Sequence, residues 1–130
     1  MAMAKLHLLR VLPLVLLCGC ATQLAPGPYN GDKVLYNADL AITTAYDVCH
    51  RFVKWEYDNQ VALAQFPEVK KAADKVRVNA PGLINSAISL REVYVSTGSP
   101  ESRDSLLTIV ALLRQLTTEA VKNLAEHTDL

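Results

Sequence analysis

Cys49 and His50 are the residues of this chain whose types most readily do chemistry, and they are neighbours. A thiol beside an imidazole is the material of a nucleophile and its base. The run Tyr46-Asp47-Val48-Cys49-His50 also differs from the haem-attachment pattern Cys-x-x-Cys-His by one residue, with Tyr46 where the first cysteine would stand. Adjacent residues on a helix diverge by about 100°, so the two side chains cannot face each other if the segment is helical. Cys49 is then expected to be a small buried hydrophobe.

Two charges interrupt the apolar pattern. Glu56 falls in the sector of Cys49, Phe52 and Leu63, and Arg91 among Ile84, Ala87, Ile88 and Tyr94. They are expected either to meet as a partly buried ion pair between the first and third helical segments or to reach water past their stems. Lys70, Lys71, Lys75 and Arg77 form a basic cluster suited to an acidic partner or to a solvated helix face. Tyr36, Tyr46, Trp55 and Tyr57 flank the main strip of the first helix, where aromatic rings either widen a core or anchor an interface. Past the first 20 residues the only histidines are His50 and His127, and no helix carries a Glu-x-x-His pair, so neither a metal site nor a cofactor is expected.

These residues sit on a pattern that is helical from Asp32 almost to the end. Leu35, Ala38, Ile42, Ala45, Cys49, Phe52, Leu63 and Phe66 recur at three-four spacing, with Asp47, Arg51, Lys54 and Asp58 on the other side. A helix over 32–66 would be about 52 Å long, ended or bent by Pro67. A second segment carries Val69, Ala72, Ala73 and Val76 as far as Pro81, which is expected to break it. A third turns Leu83, Ile84, Ala87, Ile88, Tyr94 and Val95 inward and stops at Gly98. Ser99-Pro100-Glu101 then reads as cap, first helical residue and dipole-favoured acid. The last helix carries Leu106, Ile109, Val110, Leu113, Leu116, Ala120 and Leu124. The expected fold is an all-α, small antiparallel helical bundle of three arms, the middle one broken near Pro81 and so countable as four helices.

Ahead of this bundle, Lys5, His7 and Arg10 precede an apolar run from Val11 to Leu17, broken only by Pro13. The run is too short to span a bilayer, which takes about 20 apolar residues, and it reads as an export signal. It ends in Leu17-Cys18-Gly19-Cys20. These residues resemble the lipobox of a bacterial lipoprotein precursor, with Leu17, Gly19 and Cys20 matching its first, third and modified positions. Cys18 departs from the small residues usual at the second position. The resemblance covers about the first 20 residues and implies cleavage between Gly19 and Cys20, and acylation of Cys20 by a thioether-linked diacylglycerol and an N-acyl chain. In a Gram-negative cell it further implies transfer to the outer membrane, since Ala21 is not Asp.

The expected organisation is therefore a signal peptide over 1–19, a lipidated flexible tether over 20–31 and one helical-bundle domain over 32–130. Pro26, Gly27, Pro28, Asn30 and Gly31 make the tether turn-rich, and its 11 residues after Cys20 reach at most about 38 Å. Removing Lys5 and Arg10 from 13 basic residues leaves 11 against 13 acidic ones, a net charge near −2 that offers nothing to nucleic acid. Only Cys49 then remains as a thiol, so no internal disulfide can form. The function expected is that of a lipid-anchored envelope module facing the periplasm. It would have membrane lipid and an envelope protein as partners, no enzymatic activity, and room for self-association through an unusually long first helix. The alternative is a small-molecule carrier with an inter-helix pocket near Trp55, Glu56 and Arg91.

Overall fold

Among the described residues, helix formation begins at a good cap. The Asp32 carboxylate accepts hydrogen bonds from the backbone amides of Val34 (2.7 Å) and Leu35 (3.3 Å), two of the orphan donors of a first helical turn. In the computed structural model, which describes residues 31–129, three helices follow: α1 over Lys33–Asp58, α2 over Pro67–Thr97 and α3 over Pro100–His127. A 3-10 turn at Ala62–Gln65 joins the first two, and the described residues contain no strand.

α1 ends eight residues earlier than its apolar pattern suggests. Asn59 closes it, the amide nitrogen of its side chain donating to the Trp55 carbonyl at 2.8 Å while its backbone N–H is shared by the carbonyls of Trp55 and Glu56. Leu63 keeps its place in the core, 5% exposed, from the 3-10 turn instead of from a continued helix. α1 is thus 26 residues, or about 39 Å, shorter than either of its neighbours. The expected overlong first helix, and with it the ground for self-association, falls away.

The second departure lies at Pro81, which does not break the middle arm. α2 runs unbroken through it for 31 residues, about 46 Å. An interior proline forfeits one backbone hydrogen bond and crowds the preceding turn, at roughly 3 kcal/mol. The buried stripe Val69, Ala73, Val76, Ala80 and Ala87 runs on both sides of it along one face, and burial of that stripe holds the helix together. The bundle accordingly has three helices, not four.

The turn between α2 and α3 follows the sequence closely. Gly98 takes the left-handed conformation (φ 58°) and its N–H reaches the Tyr94 carbonyl at 2.8 Å. Ser99 then caps α3 by accepting from the Ser102 amide, with Pro100 in the first turn. Ser102 is itself buried, its hydroxyl shared among the Ser99 carbonyl and the hydroxyls of Ser99 and Thr97.

All three helices pack on one another. Phe52, Val69, Leu106 and Leu113 are the largest fully buried side chains, and Ala38, Ala45, Ala73, Ala87 and Ala120 are likewise sealed from water. Ile88 and Val95, expected inward, are exposed instead, because alanine at position 87 and the long stem of Arg91 occupy the inner face of that stretch. Trp55 packs against the core beside Phe52, with ring centroids 6.2 Å apart, whereas Tyr36, Tyr46 and Tyr57 remain exposed. No helix among the described residues is long and apolar enough to cross a membrane.

The cap also ties the two ends of the chain's first hairpin. The Tyr94 hydroxyl, near the end of α2, donates to Asp32 at 2.8 Å. That bond first, and the Val34 and Leu35 amides after it, hold the Asp32 carboxylate below the usual range; the same bond raises the Tyr94 phenol. A carboxylate depressed on folding contributes stability that is present above its unfolded value, about pH 4, and is lost as pH falls through the lower folded value. Asp32→Asn keeps a cap acceptor but cannot titrate. Thermal melts between pH 2.5 and 5 are expected to show a shallower acid limb for this variant, and an unchanged limb would remove Asp32 from the acid response.

Candidate functional site

An open groove of about 360 Å³ runs between α1 and α2. Its walls follow from the helical repeat: Tyr46, Cys49, His50 and Val53 come from successive turns of α1, and Val76, Arg77, Ala80, Pro81, Ile84 and Asn85 from α2. The floor is made of small and branched apolar groups. Tyr46 and His50, one turn apart, lie with their ring planes within 6° and centroids 6.4 Å apart, forming a flat lip on the α1 side.

Cys49 and His50 do not assemble as a reactive pair. Cys49 is 3% exposed in the apolar core, and burial pushes its thiol pKa up, while His50 is exposed beside Tyr46. A thiol with a raised pKa holds little thiolate near neutrality. Among the described residues no three His, Cys, Asp or Glu side chains gather as a metal site would require. His127 is less frayed than its position suggests. Its ring stands edge-on to Phe66 at 5.0 Å, Nδ1 lies 3.0 Å from the Asn123 carbonyl, and Nε2 lies 3.8 Å from Glu68.

The expected Glu56–Arg91 pair is replaced by two others. Glu56, 2% exposed, accepts from the Arg77 guanidinium, which also donates to Asp74 at 2.6 Å. Arg91 forms a two-pronged contact with Asp39, its second prong 3.0 Å, with both side chains about a quarter exposed. The reason is register. α1 and α2 run antiparallel, so Arg91 lies 14 residues beyond Arg77 on α2, about 21 Å from the level of Glu56. Glu56, before the other causes, raises the hold of Arg77 on its proton.

The pocket expected near Trp55, Glu56 and Arg91 is therefore not where the groove lies, since none of these three lines it. Pattern reading missed Asp39, Arg77, Pro81 and Asn85 as members of paired or groove-lining sets. Asp39 and Arg77 could have been found only from the pairing register of two helices whose ends the apolar repeat alone did not fix. Most of the basic cluster is absorbed within the fold: Lys75 meets Glu119 across helices at 2.8 Å, Lys70 approaches Asp74 at 4.0 Å, and Arg77 serves Glu56. Cys20 and Gly19, the lipidation and cleavage residues, lie outside the described residues.

Two measurements follow from this geometry. A double-mutant cycle of Glu56→Gln with Arg77→Met is expected to give a coupling of about 1–3 kcal/mol, below that of a fully buried pair because Arg77 is a third exposed. The same cycle with Arg91→Met is expected to give none, and the reverse ranking would contradict the register described. Ellman's reagent at pH 8 is expected to modify Cys49 more than about a hundredfold more slowly in the native protein than in denaturant. Rapid native labelling would show the thiol to be open to solvent.

No protein-family model, curated protein or solved structure matches this chain, so its functional reading rests on its own residues.

Proposed function

We propose that this protein is a lipid-anchored module of the bacterial cell envelope, held by acyl chains on Cys20 and turning its helical bundle toward the periplasm to dock an envelope partner. The observation that carries this reading is the run Leu17-Cys18-Gly19-Cys20 at the end of a short apolar leader. Each acyl methylene buried in lipid contributes about 0.8 kcal/mol, so more than one chain anchors stably where a single chain does not. Ala21 directs the anchored protein to the outer membrane by the lipoprotein sorting rule. The reading is also supported by the turn formers Pro26, Gly27, Pro28, Asn30 and Gly31 between Cys20 and α1, a composition suited to a tether.

A second reading, a small-molecule carrier, is supported by one observation. The α1/α2 groove has the volume of the smaller ligand sites and a mostly apolar lining with His50, Arg77 and Asn85 at its edges. The two readings are compatible, since the anchor and the groove belong to different parts of the chain.

Cys20→Ala is expected to abolish incorporation of an alkyne-labelled palmitate and to move the protein from the membrane pellet to the soluble fraction. Continued label or continued membrane retention would defeat the lipoprotein reading.

A further inference from the structure

Pro81 lies inside α2 and on the wall of the groove, and so does Arg77, four residues before it. In an uninterrupted helix the amide of residue 81 would donate to the carbonyl of residue 77. Proline has no N–H, and its ring crowds that carbonyl and tilts it away from the helix axis. The Arg77 carbonyl is therefore deprived of its helical donor, and it belongs to a residue that lines the groove together with Val53, Val76, Ala80 and Ile84.

We propose that this groove binds a small apolar molecule carrying one N–H or O–H donor, and that the donor bonds to the Arg77 carbonyl. The side chain of Arg77 does not redirect this preference toward anions, because its guanidinium is already engaged by two carboxylates, Glu56 and Asp74. An anionic head would have to compete with both. The apolar walls supply most of the binding free energy, while the single acceptor orients the ligand and discriminates against molecules of the same shape that lack a donor. The inference rests on the carrier reading of the groove and is independent of the lipid anchor.

Indole and indene have nearly the same shape and differ in the N–H, so they are the probes. Amide shifts of the ¹⁵N-labelled full chain are followed as each is added. Indole is expected to move the amides of His50, Val53, Ala80 and Ile84 and to bind about three- to tenfold more tightly than indene. Pro81→Ala returns an N–H to the Arg77 carbonyl; it also trims the ring that Pro81 contributes to the wall, a loss that indole and indene share, so it is expected to erase the preference between them. Asn85→Ala, which removes the neighbouring side-chain acceptor, is expected to keep it. Equal affinities in the unmodified protein would overturn the donor claim and leave the carrier reading standing. A preference that survives Pro81→Ala, or disappears with Asn85→Ala, would place the acceptor elsewhere and overturn the assignment to Arg77. If neither probe moves the groove amides up to its solubility limit, the inference and the carrier reading fall together.

Discussion

Three helices can share one narrow core only if each keeps an unbroken stripe that both neighbours can approach, and here much of that stripe on α1 and α2 is alanine. Ala38, Ala45, Ala73, Ala87 and Ala120 are fully enclosed, and a methyl group lets helix axes come close where a leucine would hold them apart. Such a seam contributes little apolar area per residue, so a few larger groups, Phe52, Val69, Leu106 and Leu113, carry much of the burial. The constraint reaches as far as Pro81. A proline inside a helix is tolerated because the stripe it interrupts chemically is continuous in packing, with Ala80 on one side and Ala87 on the other.

Small seams are permissive about register, since one alanine resembles another, and charge removes the ambiguity. Glu56–Arg77 and Asp39–Arg91 clasp α1 to α2 at two levels. Sliding one helix by a single turn would displace both contacts by about 5.4 Å, leaving Glu56 buried without its partner, an arrangement whose penalty exceeds anything an alanine seam could recover. Tyr94 bonded to Asp32 adds a third fixed point at the end where α1 begins. These polar contacts contribute specificity more than net stability, which is what a core of similar small residues lacks.

The groove is a product of the same economy of side chains. Where the floor is cysteine, valine and alanine, and the flanks are tyrosine, histidine, proline and asparagine, two helices in contact leave a trough between their outer shoulders. Its chemistry is mainly apolar, with the Arg77 carbonyl proposed as its backbone acceptor and the Arg77 guanidinium engaged by Glu56 and Asp74. On the proposed lipoprotein reading, an acylated Cys20 and a turn-rich stretch would let this trough work within a few tens of ångströms of a membrane surface. That setting suits either a docking segment of an envelope protein or a sparingly soluble small molecule passing near the bilayer.

The sequence by itself determined the all-α class, the stop at Gly98, the cap-proline-acid start of α3, and most of the inward face of each helix, Ile88 and Val95 of α2 excepted, because these depend on residues within a turn or two of one another. It also carried Leu17-Cys18-Gly19-Cys20, whose resemblance to a lipobox is a linear one and underlies the proposed anchor. Where α1 stops, by contrast, depended on Asn59 closing two carbonyls and on Leu63 returning to the core from a tighter turn. The integrity of α2 depended on burial along both sides of Pro81 outweighing a local penalty that the sequence states plainly. Partner choice was beyond local reading altogether. Glu56 and Arg91 both point inward, as their positions on the helical wheel require, yet which opposite charge each meets is fixed by the register of two antiparallel helices. Only tertiary structure decides that, since a side chain's direction is a property of its own helix while its neighbour is a property of how two helices align.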